Sequence, residues 1–172
     1  MIASSIPILD VACGGRMFWF DKTDNRTIFL DNRQETHILK DATRRAGSRR
    51  LVVQPNCVAS FTDLPFADES FALVVFDPPH LERAGSSGWM AKKYGVLQKN
   101  WRAALRLGFS ECFRVLRPEG TLIFKWSSVQ IPLSKILALT PGLPLFGHRS
   151  GKQQNTHWVT FMKDGGLTGG AT

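Results

Sequence analysis

One stretch constrains this chain more than any other: Phe71-Ala72-Leu73-Val74-Val75-Phe76-Asp77-Pro78-Pro79-His80. Apolar residues at consecutive positions suit a strand covered on both faces, not one that alternates between core and solvent. Two successive prolines then end it, because neither has an N–H to give to a sheet ladder. The same pattern recurs at Ile6 to Val11, Thr27 to Leu30 and Thr121 to Trp126, with fragments of a further strand at Leu51 to Gln54 and Val58 to Phe61. His157 to Met162 reads as a last strand, since Trp158-Val159-Thr160-Phe161 favours extended structure. Between these runs, Trp101, Leu105, Phe109, Cys112, Phe113 and Leu116 recur at helical steps, and Pro118 and Gly120 stop the helix. Ile131 to Leu139 reads as a shorter helix with Pro132 in its first turn. Strands alternating with helices predict an α/β domain with a mostly parallel sheet. Gly15 to Asn25 is barely long enough for one helix, so the fold is expected to be trimmed there.

The 172 residues amount to a single domain, expected over 1–163, followed by a flexible Gly/Thr tail over 164–172. No run of about 18 apolar residues exists to cross a membrane. The start of the chain lacks the basic and apolar regions of a secretory signal. Cys13, Cys57 and Cys112 form no C-x-x-C pair, which fits a reducing, cytoplasmic setting and gives no metal-binding spacing. The net charge of +8 favours polyanions, nucleic acid first among them.

Ile8-Leu9-Asp10-Val11-Ala12-Cys13-Gly14-Gly15 is a strand that runs into a glycine turn, where backbone can approach a ligand closely. A second strand ends in Asp31, at the spacing where an acid can accept both hydroxyls of a ribose. Asp63-Leu64-Pro65-Phe66 follows another strand fragment; its acid could accept from an adenine amino group while apolar side chains cover the ring. Each piece alone also suits a plain turn or cap. In this order, with Asp77-Pro78-Pro79-His80 and Arg114-Val115-Leu116-Arg117-Pro118-Glu119-Gly120 following, the chain resembles the class I S-adenosylmethionine-dependent methyltransferases over roughly residues 6 to 126, and is similar to compact phage and prophage members. The resemblance implies a Rossmann-like sheet with helices on both faces and an antiparallel final strand. It implies S-adenosylmethionine as cofactor, held by Asp10, Ala12, Cys13, Gly14, Asp31, Asp63 and Leu64. The sequence departs from the family pattern at Ala12 and Arg16, where glycines are common, and in the bulky Met17-Phe18-Trp19-Phe20.

The paired prolines hold the Asp77 carboxylate and the Pro78 carbonyl at neighbouring points of a rigid loop. Two such acceptors can take both hydrogens of one exocyclic amino group and aim its lone pair at an activated methyl; correct placement of two reactants is worth about 7–11 kcal/mol. In the family, an Asp/Asn-Pro-Pro-aromatic motif marks amino-nitrogen methylation, which implies catalytic roles for Asp77, Pro78, Pro79 and His80. His80 stands where an aromatic ring stacks on the target. The reading is methyl transfer to an exocyclic amino nitrogen of a nucleic-acid base, adenine N6 preferred. The alternatives are a protein amide or small amine as acceptor, and a non-catalytic cofactor- or nucleic-acid-binding module.

Positive charge gathers in two places. Residues 82–106 carry net +5 through Arg83, Lys92, Lys93, Lys99, Arg102 and Arg106 against Glu82; within them Lys92, Lys93 and Tyr94, beside the Pro-Pro loop and the stretch Gly85-Ser86-Ser87-Gly88, are the candidate nucleic-acid contacts. Residues 40–50 carry net +4 through Lys40, Arg44, Arg45, Arg49 and Arg50 against Asp41, and a solvated loop is the favoured reading there. His148 and Lys152 are expected on a long connection above the same face, and Lys125 is a candidate phosphate contact. A base within a duplex must be flipped out or already single-stranded. With no spare domain of about 100 residues for sequence reading, specificity falls to loops, a protein partner or substrate shape.

Overall fold

The computed structural model describes residues 7–41, 43, 45–84 and 88–165. Ile6 of the first expected strand, Arg44, Gly85 to Ser87 of the basic loop, and most of the expected tail lie outside the described residues. A seven-stranded sheet runs in the order β5-β2-β1-β6-β7-β9-β8. Its strands are β1 (Ile8–Asp10), β2 (Thr27–Asp31), β5 (Cys57–Val58), β6 (Phe71–Phe76), β7 (Leu116–Ser127), β8 (Phe146–Ser150) and β9 (Thr156–Met162). The pairings from β5 through β7 are parallel, and β9 and β8 are antiparallel. A separate antiparallel hairpin joins β3 (Glu35–Lys40) and β4 (Ser48–Val53). The helices are α1 (Trp89–Tyr94), α2 (Trp101–Val115) and α3 (Leu133–Leu137). Among the described residues, no helix is long and apolar enough to cross a membrane.

The helical periodicity is realised over Trp101–Val115 in α2, which buries Trp101, Leu105, Phe109, Cys112 and Val115; Leu116 instead opens β7, which also takes in Pro118 and Gly120. Phe109 packs at 4.9 Å centroid distance from Phe124, 5.4 Å from Phe76 and 6.3 Å from Phe161. Each fully buried ring of this kind contributes about 1.5–3 kcal/mol. Helix α2 is also the crossover between the parallel neighbours β6 and β7, as a βαβ unit requires.

The other sheet face is covered differently from expectation. No helix forms over 15–25; the chain there runs in turns and bends. Its bulky residues do the covering: Trp19 meets Phe29 edge-on at 5.0 Å, and Phe18 meets Trp158 edge-on at 5.4 Å. The segment that breaks the glycine-rich pattern is thus the lid of the second face. Between the parallel neighbours β2 and β5, the β3–β4 hairpin occupies the connection where a crossover helix would run. The 51–54 fragment belongs to that hairpin, and only Cys57–Val58 joins the sheet. The expected long connection over 146–152 is instead the edge strand β8 and its turn into β9.

Candidate active site

Three aspartates stand at the carboxyl ends of adjacent parallel strands: Asp31 closes β2, Asp10 closes β1, and Asp77 follows β6. Strand order reverses at β1, with β2 on one side and β6 on the other. Ligands of open α/β sheets bind beyond such a reversal. Neighbouring strands lie about 4.8 Å apart, and the Asp31 and Asp77 carboxylates share one crevice. It is lined by Ala12, Cys13, Gly14, Asp31, Asp77, Pro78, Pro79 and His80, together with Lys93, Tyr94 and Lys125.

Asp10 builds the turn without reaching the crevice. It is wholly buried; its Oδ1 accepts the Ala12 N–H at 3.3 Å and its Oδ2 the Trp19 indole N–H at 2.7 Å. Burial pushes its pKa up to about 7; the two hydrogen bonds oppose this, and the charges of Asp77 and Asp31 add to it. Burial likewise pushes the Cys13 thiol up to about 12, so it is no nucleophile at neutral pH. Gly14 takes φ +48°, a left-handed conformation, and from there donates its N–H to Asp31 Oδ2 at 2.9 Å.

The second Asp31 oxygen is held by Arg33, through the backbone N–H at 3.0 Å and Nε at 3.1 Å. Arg33 Nη1 reaches on to the Lys92 carbonyl of α1 at 3.1 Å. Arg33 therefore spans the crevice from β2 to α1. As it stands the crevice encloses about 80 Å³, against roughly 300–1,000 Å³ for ordinary small-molecule sites.

On the β6 side, Asp77 and Lys125 follow the Phe76–Phe124 register pair on adjacent strands, and Lys125 Nζ lies 2.5 Å from Asp77 Oδ2. Burial pushes the Asp77 pKa up; the Lys125 charge and hydrogen bond pull it back, as does His80 more weakly. Among the described residues Asp77 Oδ1 accepts no hydrogen bond and stays available. His80 lies 5.2 Å from the Tyr94 ring and 6.2 Å from Trp126. Burial pushes its pKa down, against the Asp77 charge and a hydrogen bond to the Pro78 backbone, so the ring is neutral at pH 7. Gly95, which ends α1 at φ +73°, sits against the loop: a Cβ there would lie 2.9 Å from Pro79 Cγ.

Other expected residues fall elsewhere. Asp63 is exposed and does not line the crevice, and Leu64 is buried in the core. The reason lies in α2: Glu111 accepts the Leu64 N–H at 2.8 Å, while Arg114 donates to the Leu64 and Phe66 carbonyls at 3.0 and 2.8 Å. Phe61 lines the crevice instead. Lys92 lends its carbonyl to Arg33, while Lys93 reaches over the Tyr94 ring at 4.6 Å. His148 lines a separate cavity of about 740 Å³ between α3 and the β8–β9 hairpin, and Lys152 is exposed in that hairpin's turn. Arg33 was missed, although an Arg two residues after an acid is a simple local ion-pair signal. The pairing of Lys125 with Asp77 needed the sheet register.

No protein-family model matches the chain, and no curated protein matches it in sequence. Its fold does align with solved structures. A protein of Pyrococcus horikoshii OT3 aligns over 92% of this chain and 82% of its own, at TM-score 0.58 and 14% identity. A SAM-dependent methyltransferase of Leishmania major aligns over 91% of this chain at TM-score 0.52 and 17% identity, and the chain spans 64% of that protein's length. At such identities the likeness is one of fold: an α/β sheet, mostly parallel with an antiparallel edge, of the kind found in SAM-dependent methyltransferases.

Proposed function

We propose that this chain is an S-adenosylmethionine-dependent methyltransferase acting on an exocyclic amino nitrogen of a nucleic-acid base, with adenine N6 the preferred acceptor. One observation carries the reading: a buried carboxylate on a Pro-Pro loop opens into the same crevice as a glycine turn and a strand-end acid. The donor set suits the cofactor. The Ala12–Gly14 turn brings backbone to the crevice, Asp31 offers a carboxylate to a ribose diol, and Phe61 and Met17 supply apolar surface. The enclosed volume of about 80 Å³ is small for it, and Arg33, which bonds Asp31 and reaches α1, is the side chain whose withdrawal would free the Asp31 carboxylate for the ribose. When bound, the cofactor supplies an electrophilic methyl carbon on a sulfonium sulfur.

The chain's own residues do the rest. Asp77 Oδ1 and the Pro78 carbonyl accept the two hydrogens of the amino group and hold its lone pair toward the glycine turn. The charge and hydrogen bond of Lys125 oppose the rise that burial causes in the Asp77 pKa and so favour the carboxylate form that accepts. As the nitrogen gains its methyl, Asp77 is placed to take the proton the nitrogen sheds. Neutral His80, with Tyr94 beside it, offers a flat face to the base. Lys93 and the overall charge of +8 favour a phosphate-bearing substrate.

The test is transfer of labelled methyl from S-adenosylmethionine into mixed cellular DNA, RNA and protein. Label released by nucleases and not by protease is expected. Label released only by protease would move the acceptor to a protein amide, and cofactor binding without transfer would leave a binding module.

A further inference from the structure

Next to the crevice, and outside everything used above, lies a groove of about 550 Å³ between the glycine turn and the β3–β4 hairpin. Gly14, Gly15 and Met17 line both spaces, so the groove adjoins the crevice across the glycine turn. Its cations are Arg16, Lys22, Arg49 and Arg50, and no carboxylate lines it. Arg49 and Arg50 also line an adjoining space of about 480 Å³ that extends to Arg45 at the hairpin turn, again without a carboxylate.

The roles of these cations divide. Arg16 is fixed: its guanidinium donates to the Lys22 carbonyl and, at 2.7 Å, to the Gln54 carbonyl, and it lies 3.8 Å over the Phe29 ring. It ties the hairpin's end to the glycine turn and so makes the groove wall. Arg45, Arg49 and Arg50 enter no salt bridge among the described residues. The nearby acids have local partners: Asp41, at the hairpin turn, accepts from Thr43, Asp21 accepts from Thr23, and Asp24 pairs with Arg26 at 2.6 Å. The wall is also built. Leu51 and Val53 are buried and alternate with Arg50 and Val52, so the strand fixes exposed Arg50 on its outer face, while half-buried Arg49, opposite Leu39, lies on the inner face; both border the groove. A freely solvated loop, the reading favoured from sequence, would have neither the register nor the buried anchors.

The geometry points to a track for the backbone of single-stranded nucleic acid, with Lys22, Arg49, Arg50 and Arg45 contacting successive phosphates and one nucleotide turning past Gly14 and Gly15 into the crevice. Cations that outnumber the acids around them, with no carboxylate among the described residues lining either space, match a regular polyanion, and phosphate contacts position a strand without reading its sequence. The inference rests on the nucleic-acid reading above for what the bound strand undergoes, and on the groove alone for binding.

The test is fluorescence anisotropy with labelled 20-nucleotide single-stranded RNA and DNA of one sequence, titrated across salt with no methyl donor present. Each phosphate contact on a single strand adds about 0.7 to the slope of log K against log salt. Arg49→Gln/Arg50→Gln is therefore expected to lower the slope by about 1.4 and the affinity at low salt by roughly tenfold or more. Lys22→Gln, at an exposed site remote from the hairpin core, is expected to lower the slope by about 0.7. Arg102→Gln/Arg106→Gln on the outer face of α2 removes the same charge and is expected to change little. Equal losses from the α2 and hairpin variants would show attraction by net charge alone and overturn the groove, as would hairpin variants within twofold of the parent. Poly-glutamate of matched charge competing as well as RNA would assign the surface to acidic protein and overturn it too. Oligonucleotide binding through the groove by a protein that transfers no methyl would remove the proposed reaction and leave the groove standing.

Discussion

Lys125 Nζ sits 2.5 Å from Asp77 Oδ2, each residue one step beyond the Phe76–Phe124 register pair of β6 and β7. The two side chains are 19% and 16% exposed, so the pair is largely screened from water. Removing the lysine leaves a buried carboxylate without its counter-charge. Lys125→Met is expected to cost about 2 kcal/mol of stability. It should also raise the Asp77 pKa further, so that methyl transfer falls at neutral pH and rises with pH where the parent is flat; Lys125→Arg should restore the parent's profile. A pH–rate series on the three proteins checks this.

Asp10 predicts a pH dependence of folding. Burial raises its folded-state pKa to about 7, against an ordinary carboxylate value of 3.8 in the unfolded chain. The native state therefore holds a proton between those values that the unfolded state has released. The linkage sign follows: this contribution to stability is present at acid pH, is lost as pH rises from about 4 to about 7, and is constant above. Asp10→Asn keeps one acceptor oxygen for the two N–H donors and is expected to lie below the parent near pH 4, then to gain on it by a few kcal/mol between pH 4 and pH 8, since it carries no titrating group there. Urea unfolding of both proteins at the two pH values provides the comparison.

Arg33 should act as a competitor for the ribose acid. It bonds both oxygens of Asp31, at 3.1 and 3.4 Å, and reaches α1, within a crevice of about 80 Å³. Arg33→Ala is expected to tighten S-adenosylmethionine binding several-fold, since the exchange no longer opposes entry. Calorimetric titration that showed weaker binding would instead make Arg33 a cofactor contact.

Gly95 positions the Pro-Pro loop from α1. An added Cβ would meet Pro79 Cγ at 2.9 Å, and φ +73° is itself unfavourable for alanine. Gly95→Ala is expected to cost about 1–2 kcal/mol and to lower the turnover rate while cofactor affinity stays near the parent's. Thermal melts with steady-state kinetics separate the two effects.

How much of this was legible beforehand depended on the physical signal each element carries. Strands β1, β2, β6 and β7 declare themselves through consecutive apolar residues, β9 through its β-favouring Trp158-Val159-Thr160-Phe161, and α2 through its period. β8 carries no such signal: Phe146 to Arg149 are all exposed, and the strand exists through its ladder with β9. In the β3–β4 hairpin, exposed Ile38 and Arg50 face one another across the strands, so hydropathy alone could not show the pairing. At the site, the Gly14 turn, Asp31 and the Asp77–His80 loop could be placed in one crevice because strand order converges their ends. Asp63 and Leu64 could not be excluded from it, since what turns them away is an ion network from α2, about fifty residues further along the chain.

The clamp formed by Asp77 and the Pro78 carbonyl is the central claim, and nucleoside mass spectrometry tests it most directly. Nucleic acid is incubated with S-adenosylmethionine and either the parent or Asp77→Ala, then digested to nucleosides. The account predicts a base methylated on its exocyclic nitrogen, N6-methyladenosine or its deoxy form foremost, with the parent and at least 100-fold less with the variant, about 3 kcal/mol of lost transition-state stabilisation. Equal product from both proteins, or methyl groups found only on ring carbons or ribose, would contradict it.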